Sequence, residues 1–316
     1  MKKFFQKPFF KIAKSTFSGF MDDKGLKLSA SLAYYTVFAL GPLLMLLISL
    51  AGIFLGKDAI QGKVFGELNG LIGDDAALQV QDMLKSLELS GKSTMAFIIS
   101  LVTLLIGATS IFGEIQDSIN IIWKVKAKPK RGWVKMLKDR LLSSSLIVSL
   151  GFLLVVSLVV NGALLALTDK LLRILPDVTL FVVEILNVVI SFIVITILFG
   201  TIFKVLPDVK IKWKDVKVGA FFTACLFMLG RYLIGLYIST TGTGSAFGAA
   251  GSLIIILVWV YYTAAILYMG AEFTQVYAEY KGHKIEPADF AVHVQQKEIE
   301  KEVTTLPPQH DNLKKE

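Results

Sequence analysis

Six long apolar runs decide what this chain can fold into. They extend roughly over Leu32–Leu55, Met95–Gly113, Leu141–Leu167, Val178–Phe203, Val218–Ile238 and Ala246–Gly270. Each is near or above the ~20 residues that carry a helix across ~30 Å of hydrocarbon. With 54% apolar residues and a mean hydropathy of +0.64, the size rules for soluble domains do not apply. The pattern predicts an all-α, polytopic membrane protein with six transmembrane helices.

The seven stretches outside these runs hold seven, four, eight, two, five, no and six Lys plus Arg, and Arg231 inside the fifth run completes the 33. Dense and sparse segments alternate, so the positive-inside rule puts both termini in the cytoplasm. The net charge of +8 is carried largely by lysines just cytoplasmic of spans, where anionic headgroups attract them; this predicts lipid, not nucleic acid, as the partner. The lone cysteine, Cys225, permits no intrachain disulfide. The first run begins too late and extends too far for a signal peptide and reads as an uncleaved span.

Residues 1–31 precede the 32–278 membrane domain. From Pro8 to Met21 a helical wheel gathers Phe9, Phe10, Ile12, Ala13, Phe17, Phe20 and Met21 on one half and Lys11, Lys14, Ser15 and Ser18 on the other. This predicts an amphipathic helix in the inner headgroup layer, with packing on its own bundle as the alternative. Asp22, Asp23 and Gly25 would turn the chain into the membrane. Residues 56–94 read as an outward insertion of two short amphipathic helices, a docking site for an envelope protein partner, a bundle cap or an outer-leaflet contact. The polar tail 279–316 reads as cytoplasmic and largely disordered, with at most one helix around Pro287 to Val303.

Four blocks carry a resemblance: SASLAYYTVFALGPLLMLL from Ser29, SINIIWKV from Ser118, LPDVKIKWKDVKVGA from Leu206 and FGAAGSLIIILVWVYYTAAILYMGAEFTQVYA from Phe247. In order and spacing they resemble the YihY/virulence factor BrkB family of bacterial inner-membrane proteins, once labelled ribonuclease BN. The chain departs from the family pattern at Phe247, where a tyrosine is usual. The resemblance implies an integral plasma-membrane protein with proposed roles in lipid or solute movement.

The ribonuclease label fails on residues. Metal-dependent phosphodiester cleavage needs clustered His and Asp ligands, and His283, His293 and His310 are scattered along the tail. Gly91, Lys92 and Ser93 mimic the end of a phosphate-binding loop, but Ser86 stands where its first glycine belongs. No enzymatic activity, cofactor or metal site is expected. Gly244, Gly248 and Ser252 repeat every four residues, a spacing that suits close helix packing or a flexible outward gate.

Polar residues inside the spans are more informative, because a charge in hydrocarbon is costly unless paired or wetted. At ~1.5 Å per residue, Glu184 falls ~9 Å below the outer end of its span, Asn161 at a similar depth and Arg231 at ~10 Å. Asn187 lies one turn deeper than Glu184. A Glu184–Arg231 pair that fixes helix register is one reading, with the asparagines bonding backbone carbonyls. A hydrophilic cavity in which Arg231 attracts a phosphate or carboxylate is the other. At the inner face Glu114, Asp117 and Asn120 step by three along span two, beside Glu272 and a basic loop carrying Lys126, Lys128, Lys130 and Arg131. That group reads as a salt-bridge network with headgroup contacts, or as a set of proton sites.

The resulting expectation is a protein that binds or translocates anionic envelope lipids. A proton- or cation-coupled antiporter and a non-transporting envelope scaffold are the alternatives.

Overall fold

The structure, a computed structural model, describes residues 8–38, 110–128, 176–241, 249–295 and 304–305. The third apolar run, most of the first two, both outward helices of 56–94, Asn161, Lys130, Arg131 and the Gly244/Gly248 pair lie outside the described residues.

Helix α1 occupies Pro8–Asp22 and opens on a proline, whose missing N–H costs nothing in the first turn. It stops where Lys24 takes the left-handed conformation, φ 56°. After that turn α2 covers residues 25–38. The expectation that Gly25 supplies the turn is therefore refined. Gly25 lies under the Phe20 ring, and a Cβ there would come within 2.2 Å of it. Along α1, Ile12, Thr16 and Phe20 form a buried edge that packs on the last long helix, while Phe10, Phe17 and Met21 remain exposed. One apolar edge of α1 thus packs on the bundle, as the second reading of this segment has it, and Phe17 and Met21 are exposed on another side.

Helix α3, residues 110–122, buries Phe112, Ile115, Ile119 and Ile122, a single stripe at helical spacing. It also ends at a left-handed lysine, Lys124, φ 55°. Three long helices follow: α4 (Pro176–Val205), α5 (Trp213–Thr241) and α6 (Ala249–Tyr280). At ~1.5 Å per residue each exceeds 40 Å, enough to cross a bilayer, and all three are apolar enough to do so. Helix α5 is packed between α4 and α6.

Small residues set the α5–α6 seam. A Cβ on Gly219 would lie 1.8 Å from Thr274 Oγ1, and one on Gly270 would lie 1.9 Å from Thr223 Oγ1. The two helices thus exchange the same Gly-x-x-x-Thr unit in opposite directions. Each threonine hydroxyl donates to the carbonyl of its own glycine at 2.7 Å, so neither of these two hydroxyls is left over.

The all-α expectation needs correction. Two antiparallel ribbons close the end of the bundle that carries α1 and the tail. Strand β1 (Val125–Ala127) pairs with β4 (Ala291–His293), and β2 (Val209–Lys210) pairs with β3 (Glu286–Pro287). Of the helix expected around Pro287 to Val303, the described part to Gln295 is turn and strand instead, and 296–303 lie outside the described residues. Main-chain pairing does not depend on a hydrophobic face, and two- or three-residue strands leave no periodicity to read.

Gly282 begins the tail in the left-handed region, φ 69°, and His283 N–H returns to Ala278 O at 2.9 Å, closing α6 in a Schellman-type cap. A Cβ there would meet nothing within 4 Å. Gly282→Ala should therefore cost only the backbone term, about 1 kcal/mol, read as a small drop in melting temperature.

Candidate functional site

The polar residues of the terminal end converge on Asp208, in the turn between α4 and α5. Asn120 Nδ2 donates to Asp208 Oδ2 at 3.0 Å, and Gln116 Nε2 donates to Oδ1 at 3.1 Å. The Asp208 N–H donates to Asn120 Oδ1 at 2.9 Å, and its carbonyl accepts from Ala288 N–H of the tail at 2.9 Å. Pro207 ends the helix and frees the turn for this geometry. One buried aspartate thus joins α3, the α4–α5 turn and the tail.

A second cluster lies where α1 meets α6. Glu272 is buried, and its carboxylate fills the notch left by Gly19, where a Cβ would come within 1.9 Å of Oε1. Trp123 Nε1 donates to Ala271 O at 3.0 Å, and Lys124 pairs with Asp23, tying together the two left-handed lysine turns. On α5 the buried Asp215 meets His283 Nδ1 at 2.7 Å. Lys210 pairs with Asp289 across the β2–β3 ribbon, and that carboxylate holds the ammonium above the usual lysine range. Both groups are exposed, so the pair adds little to stability.

The sequence-predicted site residues divide. Glu114 is half-buried and Asp117 exposed, whereas Asn120 is buried against Asp208, so their step of three does not make one cluster. Glu272 is close to Asp22, Asp23 and Glu279, with Lys124 the nearby cation. Lys11 and Lys14 are exposed on α1, and Lys126 and Lys128 are exposed on and after β1. Arg231 is exposed on α5 among Leu229, Tyr232 and Leu233, which are exposed too. Glu184 and Asn187 belong to α4, but their side chains lie outside the described residues. Among the described residues no group of three or more His, Cys, Asp or Glu could hold a metal ion. Sequence reasoning missed Asp208 as a centre, although an aspartate after proline in a short turn between two spans was a usable signal.

Three membrane-length helices, closed at one end by a polar plate, define a mostly helical integral membrane protein. The sequence profile described as Virulence factor BrkB matches residues 16–291, and the chain belongs to that family. Similar curated proteins are a "UPF0761 membrane protein" of Alkalilimnicola ehrlichii, 26% identical over 83% of this chain and 57% of the relative, and one of Stenotrophomonas maltophilia, 28% identical over 84% and 61%. A Vibrio vulnificus "UPF0761 membrane protein" is 24% identical over 78% of this chain and 76% of its own length. The chain thus spans about three-fifths of the first two relatives. No solved structure matches.

Proposed function

We propose that the protein works without catalysis in the bacterial plasma membrane, with six spans and both termini cytoplasmic, binding and moving or presenting anionic amphiphiles of the envelope. The observation that carries this reading is Arg231, a guanidinium exposed on a membrane-length helix between exposed apolar side chains. A cation on such a face is costly without an anion. A phosphate or carboxylate head would take the guanidinium fork through two parallel bonds, while an acyl body lies along the same side of α5, where the half-exposed Met228 stands one turn from Arg231. Helix α1 supports the same reading, with Phe17 and Met21 exposed for the acyl boundary and Lys11 and Lys14 exposed for headgroups.

Protein purified in mild detergent should carry acidic lipid. Arg231→Gln should lower its retention about tenfold, the equivalent of one charge-assisted contact, and Arg231→Lys should recover only part. Lipid retention unchanged in Arg231→Gln would refute the reading.

A further inference from the structure

Tyr268, Glu272, Gln275 and Glu279 are spaced by four, three and four residues, so they form one polar stripe along the inner half of α6. Its tail end opens into a cavity of about 360 Å³ whose lining includes Trp123, Gln275, Glu279 and His283 and the oppositely charged Lys284 and Glu286. Along this stripe the buried Gln275 Oε1, Glu272 Oε2 and Tyr268 Oη have no hydrogen-bond partner in the protein. Neither do Ser118 Oγ of α3, which stands beside Tyr268, and Thr16 Oγ1 of α1, which packs on α6. Tyr268 and Ser118 face each other, outside hydrogen-bonding geometry. Buried polar atoms are rarely left unpaired, and several on one stripe beside a cavity are what ordered water satisfies.

We infer that this stripe lines a narrow aqueous passage, running from the tail cavity past Glu272 to Ser118 and Tyr268, that admits water and small monovalent cations, the proton included. The charge pattern favours cations. Glu272 is faced by Asp22 at the end of α1, by Asp23 in the turn after it and by Glu279 from its own helix, and the nearby cation, Lys124, is already paired with Asp23. At the far end Tyr268 has Glu114 as its charged neighbour. Lipid binding at Arg231 uses none of these groups, so either proposal can fail alone.

The test uses single cysteines in the full chain carrying Cys225→Ser, held in lipid nanodiscs and treated with aminoethyl or sulfonatoethyl thiosulfonate, with adducts followed by intact mass. Ser118→Cys and Glu272→Cys should both react, whereas Ala220→Cys, buried in the α4–α5 seam, should not. The cationic reagent should modify Ser118→Cys about tenfold faster than the anionic one, and Glu272→Gln in that background should erase most of the difference. Gln275→Trp should close the route and protect Ser118→Cys. If Ser118→Cys and Glu272→Cys are as inert as Ala220→Cys, there is no passage. Equal rates with the two reagents would refute its preference for cations, and labelling unaffected by Gln275→Trp would refute its course.

Discussion

Gly270→Ala should destabilise the protein by about 3 kcal/mol, and trimming Thr223 to glycine in the same chain should recover most of that loss. The new Cβ would stand 1.9 Å from Thr223 Oγ1 and 2.9 Å from that residue's Cβ and Cγ2. Rotating the hydroxyl away does not cure the overlap, because the Cβ is fixed to the α5 backbone. The helices must separate, and the twin contact of Thr274 on Gly219 goes with them. Thr223→Gly alone should cost about 1 kcal/mol for a glycine inside a helix. Melting of the four proteins in detergent, followed by helical circular dichroism, reads the coupling. Losses that simply add would mean that α5 and α6 do not meet at Gly270 and Thr223.

That seam shows where sequence reading stops. The apolar lengths of α4, α5 and α6 were plain in the chain, since a span is a property of one segment. The Gly-x-x-x-Thr units were printed there too, at Gly219 and at Gly270, yet only the antiparallel contact gives them meaning, because each glycine accommodates a threonine of the other helix. The glycines that attracted attention, Gly244 and Gly248, repeat within one segment and so were the easier signal. Glu272 reads from the chain alone as a polar residue at a span end. That it fills a notch at Gly19 depends on α1 lying across α6, which no local pattern encodes.

The pairing of the tail's described part escapes the sequence for a related reason. The tail's few large apolar side chains and three prolines argue against an independent core. Order came instead from backbone groups: Lys128 N–H donates to Phe290 O at 2.7 Å and Val294 N–H to Lys124 O at 2.8 Å, bonds indifferent to side-chain character. Pro287 fits a two-residue edge ribbon because its missing N–H is not needed there. Three of the sequence blocks that carried the family resemblance, those around Asn120, Asp208 and Glu272, prove to be the material of this one plate.

Asp208→Ala should be the most damaging substitution in that plate, lowering stability by about 3 to 5 kcal/mol, the worth of two hydrogen bonds to a buried carboxylate whose donors are left stranded. Gln116 Nε2 and Asn120 Nδ2 both lose their acceptor, and for the buried Asn120 the neighbouring buried Ile119, Leu206 and Ile211 offer no replacement. Asp208→Asn keeps one acceptor oxygen and should lose roughly half as much. Because the β2–β3 ribbon and the Ala288 bond hang from the same turn, the tail should loosen along with the hub. Limited trypsin digestion then ought to cut sooner after Lys281 and Lys284 in Asp208→Ala than in the wild type, at a temperature where both remain helical. A variant that melts with the wild type and keeps its tail equally protected would show that the aspartate does not hold the plate. The ribbons would then have to be stable on main-chain pairing alone, which two- and three-residue strands do not achieve in water.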